Sequence, residues 1–92
     1  MSEREKLKVG IQPLKLRIES EPYASFLGRR YSVMLDVWDI KRKREYYLII
    51  DAQSLSQPIH KLTVTEGTLK DLEVWILKES EEKYAKYEVT LA

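Results

Sequence analysis

Apolar and polar residues alternate through most of this chain, and the breaks in the alternation divide it into elements. Leu7, Val9 and Ile11 alternate with Lys6, Lys8 and Gly10. After Pro13, Leu14, Leu16 and Ile18 alternate with Lys15, Arg17 and Glu19. A period of two marks a strand with one buried face. Pro13 has no N–H to give a ladder, so this first strand, over 6–20, is bent or divided there. Residues 21–29, EPYASFLGR, hold a Pro and a Gly and read as a long loop.

Tyr31, Val33, Leu35 and Val37 then alternate with Ser32, Met34, Asp36 and Trp38. Residues 45–51 supply the partner strand and Lys41–Arg44 the turn. The expected register sets Leu35 opposite Ile50 and Val37 opposite Leu48 on the core side. On the outer side it sets Asp36 opposite Ile49 and Trp38 opposite Tyr47, a cross-strand aromatic pair. Further on, Ser54 and Gln57 have the spacing of a capping box, and Pro58 suits a first helical turn. Leu55, Ile59 and Leu62 form one helical stripe, which predicts a short helix over 55–64. Its β-branched Thr63, Val64 and Thr65 end it before Gly67. A second hairpin follows. Val74 is expected opposite Val89 and Ile76 opposite Tyr87, around a four-residue loop Ser80–Lys83 that joins the two apolar faces.

Strand, loop, strand, strand, helix, strand, strand is a mainly β (α+β) order. It predicts a five-stranded Greek-key barrel of oligonucleotide/oligosaccharide-binding (OB) type, with one short helix between strands three and four. An SH3-like barrel, or a sheet with the helix on one face, are the alternatives. The stretches LIIDAQSLSQPIHKL and GTLKDLEVWILKESEEKYAKYEV resemble small archaeal and phage OB-like modules of helix, turn, strand and Tyr-containing last strand. Some of those modules bind single-stranded nucleic acid, and the resemblance implies the same class of partner. Residues 1–5 are expected to be a flexible N-terminus and 6–92 a single domain.

Composition narrows the function. The chain has 92 residues and no cysteine, which excludes disulfides, thiolate metal sites and a cysteine nucleophile. A chain this small buries only roughly 60–65% of its surface, so its core must be tightly filled or shared with a partner. It has no asparagine and is rich in Lys and Glu, a thermophile-like bias. No apolar run approaches the ~20 residues of a membrane span. The start, MSEREKLK, lacks the apolar core of a secretory signal, so the expected compartment is the cytoplasm. Residues 1–48 hold 11 Lys+Arg against 7 Asp+Glu, and residues 49–92 hold 5 against 8. The basic excess therefore sits in the first half.

That excess defines a candidate site. In OB-type domains single strands lie on the face of strands two and three, bases stack on rings, and cations track the phosphates. Trp38 and Tyr47 are the expected platform. Tyr23, Phe26, Arg29 and Arg30 come from the first loop, and Lys41, Arg42, Lys43 and Arg44 from the turn. The expected function is non-enzymatic binding of single-stranded DNA or RNA, with no cofactor. A charged turn is also what any soluble β protein shows. The other reading is a protein-interaction subunit or homodimer, which would use the same outer face through Met34, Ile49, Trp75 and Leu77. Asp36 and Asp51 could share a hard cation only as diagonal neighbours. His60 is the single histidine, so a zinc site has no second ligand of its kind.

Overall fold

β4 (Arg30–Asp39) is the spine of the fold, ten residues long and flanked on both edges. The computed structural model of the protein describes residues 4–27, 29–83 and 85–92. On one edge of β4 lies β5 (Arg44–Ile49), antiparallel. The other edge is shared: β2 (Leu14–Ile18) takes its C-terminal part and β3 (Tyr23–Leu27) its N-terminal part. Ile18 faces Val37 and Tyr23 faces Met34, so four residues, 19–22, stand against two of β4. This is a bulge held from both sides. The Glu19 N–H donates to the Asp36 carbonyl at 2.8 Å, and the Asp36 N–H donates to Ser20 Oγ at 3.0 Å. Pro22 falls in the bulge, where no ladder N–H is required.

The segment expected over 6–20, as one bent strand or two short ones, is divided: β1 (Glu5–Lys6) runs parallel to β5, residues 7–13 are not strand, and β2 starts directly after Pro13. The loop expected over 21–29 is largely strand β3, with Leu27 facing Arg30. Beyond β5 comes α1 (Gln53–Glu66), then β6 (Glu73–Lys78) on the free edge of β2, then β7 (Tyr87–Leu91) on β6. The order is β1-β5-β4-β2-β6-β7, with β3 also on β4. The fold is mainly β with one helix. It has seven strands rather than five, and no ladder among the described residues joins β5 to β7, so the sheet stays open where a closed barrel was expected.

Both hairpins pair two residues away from the expected register. Leu35 faces Leu48, Val37 faces Tyr46, Asp36 faces Tyr47 and Trp38 faces Glu45. The expected Trp38–Tyr47 pair is therefore not formed. Asp39 is the cause. Its Oδ1 accepts the N–H groups of Lys41 and Arg42, both at 3.0 Å, and its carbonyl accepts that of Lys43 at 2.8 Å. The turn is thus 40–43, one residue earlier than expected, and Lys43 closes it at φ 56°. In the second hairpin Val74 faces Leu91 and Ile76 faces Val89, and Glu79 N–H donates to the Lys86 carbonyl around a longer loop. A shift of two leaves the alternation of faces in each hairpin unchanged. The start of β4 departs from it: Tyr31 and Val33, expected on the core side, are exposed, and Ser32 and Met34, expected outside, are buried.

α1 starts before and ends after the expected 55–64. Ala52 is its N-cap with no side-chain bond, so Ser54 and Gln57 form no capping box. Pro58 lies inside the helix rather than in its first turn. The β-branched residues stay helical: the Thr63 and Thr65 hydroxyls donate to the carbonyls of Ile59 and Lys61. Gly67, at φ 81°, ends the helix and donates its N–H to the Thr63 carbonyl. Leu55 and Ile59 are buried as expected, among Leu16, Ile18, Leu35, Val37, Leu48, Val74 and Ile76. Leu69 joins them because the Glu21 carboxylate accepts the Thr68 hydroxyl and the N–H groups of Leu69 and Lys70. At the other end, Arg4 and Glu5, expected in a flexible terminus, are held by side-chain contacts and by β5, and Leu7 is in the core.

Candidate nucleic-acid interface

β4 decides which of the expected site residues can act together. Its nine steps from Arg30 to Asp39 span about 30 Å. Arg29, Arg30 and Phe26 lie at one end, while Trp38 and the turn Lys41–Arg44 lie at the other. Phe26 and Tyr31 pack edge to face, with ring centroids 5.0 Å apart, and are 58% and 72% exposed. Tyr31 shares its face of β4 with Val33 and Leu35, the face opposite to Trp38. Arg30 is engaged by Asp51 at 3.0 Å. Asp51 also accepts the Val33 N–H at 2.7 Å; with Ser32 and Arg30, that bond holds its carboxyl below the usual range. Asp36 faces Tyr47 and Asp51 sits beside Val33, so these two carboxylates are not the diagonal pair a shared cation needs.

The middle of the outer face is acidic. The Tyr23 hydroxyl donates to Asp36 at 2.6 Å; burial and then this bond push the phenol up to about 12. Arg4 lies over the same carboxylate at 3.6 Å and also reaches Glu19 at 3.2 Å and Glu45 at 3.5 Å. One guanidinium thus serves three carboxylates. Tyr47, across from Asp36, stands in this network rather than on a cationic platform. Met34 is buried at 5% exposure and Ile49 and Leu77 are half-buried, so the outer face is not an open apolar patch.

The Trp38 end is different. Arg17 on β2 faces Trp38 on β4, and Lys15 faces Trp75 on β6. The two indoles therefore flank β2 with Arg17 and Lys15 between them. Two strand spacings and one two-residue step put the indoles about 12 Å apart. Trp75 is 41% exposed, with Lys15 Nζ 5.9 Å from its ring centroid. Glu73 is 3.9 Å from Lys15, and Glu19 is 3.6 Å from Arg17. Ile40 N–H donates to the Lys15 carbonyl at 3.1 Å, which sets the basic turn beside this strip. Within the turn, Arg42 meets Asp39 and the Tyr46 hydroxyl, and Arg44 meets Glu5. Lys41 and Lys43 make no ion pair among the described residues.

No protein-family model, curated protein or solved structure matches this chain. The site must therefore be read from its own geometry. Trp38 and the turn are together as expected. Tyr47 is a diagonal neighbour of Trp38 on the same face, beside Asp36, whereas Tyr23, Phe26, Arg29 and Arg30 stand apart from them. Lys15, Arg17 and Trp75 are added. The alternation around Leu14, Leu16 and Ile18 already turns Lys15 and Arg17 outward. What no local pattern states is that β2 lies between β4 and β6. Among the described residues, no group of His, Asp or Glu has metal-binding geometry, His60 is exposed on α1, and no helix is long and apolar enough to cross a membrane.

Proposed function

We propose that the protein binds single-stranded DNA or RNA without catalysing a reaction, as a partly open OB-like domain. One observation carries the reading: Trp38 and Trp75 flank Arg17 and Lys15 on three adjacent strands, beside a turn whose Lys41 and Lys43 make no ion pair among the described residues. Rings offer faces for bases and cations follow the phosphates, so a binder of this kind has little sequence preference. If β2 and β3 are counted as one bulged strand, the chain has five long strands with the helix between the third and fourth. That order is what supports reading the fold as a partly open Greek key of OB type. The site lies on the outer face of strands one, two and four in that count, bordered on its acidic side by Glu45 opposite Trp38 and by Glu19, 3.6 Å from Arg17.

Titration of a labelled 20-mer by fluorescence anisotropy tests the reading. Four cations, Lys15, Arg17, Lys41 and Lys43, should give a slope of log K against log salt of about −3. No anisotropy change at low salt overturns it. A second reading is a protein-interaction subunit or homodimer. It draws on Phe26, Tyr31 and Val33, which are exposed together on the opposite face of the β3–β4 hairpin. A concentration-dependent sedimentation coefficient, abolished by Phe26→Ser, would favour it.

A further inference from the structure

β7 ends the sheet, and its pairing with β6 fixes which of its backbone groups are used. Ala92 N–H donates to the Glu73 carbonyl and Glu79 N–H to the Lys86 carbonyl, both at 2.9 Å. Hydrogen-bonded and non-bonded pairs alternate along an antiparallel ladder. Glu88 and Thr90 therefore direct their N–H and C=O groups to β6. Tyr87, Val89 and Leu91 direct theirs outward, where no described residue meets them. Proteins usually blunt such an edge with Lys, Pro, a bulge or a short strand. Two other strands also have an unpaired side among the described residues, β1 with two residues and β3, which pairs with β4 alone; β7 reads YEVTL over five, with Glu88 its single charge, and it is the one beside α1.

Alongside this edge runs α1. A groove of about 360 Å³ lies between Pro58, Lys61, Leu62 and Thr65 of the helix and Tyr87 to Val89 of the strand. Tyr87 also lines a cleft of about 780 Å³ with an apolar floor, including Leu48 and Leu55, and Lys6 and Lys8 at its side. Tyr87 lines both spaces.

We infer that this edge takes up one extended peptide segment of a partner protein, which adds as a strand beside β7 against the wall of α1. Backbone bonds to Tyr87, Val89 and Leu91 supply the affinity, and side chains on alternate positions supply the choice of sequence. The apolar side chains of the peptide continue the inner face of Val89 and Leu62. Its charges are acidic, because Lys61, Lys6 and Lys8 border the path, Glu88 is its one carboxylate on β7, and Asp51 in the cleft is engaged by Arg30 and the Val33 N–H. This inference does not depend on nucleic-acid binding.

The full ¹⁵N-labelled chain is titrated with the capped peptide acetyl-Val-Glu-Val-Glu-Val-Glu-amide. The amides of Tyr87, Val89 and Leu91 should shift and become protected from hydrogen exchange, while the protection of Glu88 and Thr90 stays as it was. Leu91→Pro removes one outward N–H and leaves the β6 ladder intact. It should weaken binding about tenfold, the worth of one hydrogen bond. Lys61→Glu, on the exposed side of α1, should weaken it too and guards against a folding defect in the proline variant. The inference is overturned if millimolar peptide leaves those three amides unmoved, or if neither variant weakens binding. It is equally overturned if the chain alone sediments as a dimer with the same amides already protected, since a second copy then holds the edge.

Discussion

Tyr23 on β3 donates its hydroxyl to Asp36 on β4 across 2.6 Å, from a position diagonal to it on the outer face. The bond ties the bulged side of the sheet to its spine. Tyr23→Phe should lower stability by about 1 kcal/mol, the net worth of a hydrogen bond to a partly solvated carboxylate. The phenol is raised to about 12 against an ordinary 10.0. Its contribution is complete below the unfolded value and is lost as pH rises toward the folded one. An ultraviolet titration of the wild type should therefore show one late-ionising tyrosine, absent in Tyr23→Phe. A late step that survives the substitution would reassign it.

The strip between the two indoles makes a sharp contrast with the residues left outside it. Trp75→Ala should cost about 1–3 kcal/mol of oligonucleotide binding, roughly five- to 150-fold in Kd. Trp75 is the cleaner variant because it is exposed, whereas Trp38 is half-buried. Phe26→Ala, about 30 Å away along β4, should leave Kd unchanged. The double variant Lys41→Ala/Lys43→Ala should reduce the salt slope by about 1.4, at 0.7 per phosphate contact on a single strand. Loss at Phe26 with none at Trp75 would move the site to the other end of the molecule.

The turn that sets the register is testable by stability alone. Lys43 is held at φ 56°, where a side chain costs about 1–2 kcal/mol, part of which glycine returns as chain entropy. Lys43→Gly should stabilise by about 0.5–1 kcal/mol. Asp39 is 1% exposed and caps two N–H groups, so Asp39→Ala should destabilise by about 1–3 kcal/mol. Urea midpoints measure both. A domain of this size moves about 4–8 °C in Tm per kcal/mol, so a thermal melt resolves the same signs.

Faces were legible over most of the chain, but not at the start of β4, where Tyr31 and Val33 are exposed and Ser32 and Met34 are buried, and registers were not. Leu35 and Val37 point to the core whichever even shift the hairpin takes, so the alternation finds their side and leaves their partners open. The missing signal was Asp39, a residue type favoured at the first position of a tight turn, standing just before the basic run. The segment 21–29 hid a strand for a similar reason, since a hairpin needs only two residues to turn and nine were long enough to hold β3. Contacts distant in sequence left no local trace. Nothing near Lys15 announces that Trp75 will lie beside it, and nothing near Glu5 announces a parallel partner in β5. The carboxylate network was equally hidden, because Arg4, Glu19, Asp36 and Glu45 meet only after β1, β2, β4 and β5 are assembled. The expected aromatic face was therefore found on the right side of the sheet but with the wrong neighbours.

Glu21 offers a test in acid. Its carboxyl is lowered from 4.5, first by the Thr68 hydroxyl and then by the Lys70 and Leu69 N–H groups that it accepts. A carboxylate bound more tightly in the folded state stabilises above its unfolded pKa, and that stabilisation fades as pH falls through the folded value. The bonds position Leu69, which is fully buried, so their loss loosens a core residue and not only a surface loop. Glu21→Gln should lower Tm at neutral pH and flatten its fall below about pH 4.5 relative to wild type. Thr68→Val, which removes the leading cause, should shift the wild-type acid limb to higher pH. Asp51, also lowered, remains in both variants, so some acid dependence persists. If Glu21→Gln leaves both the neutral Tm and its acid slope as in wild type, the clamp on residues 68–70 contributes nothing to folding.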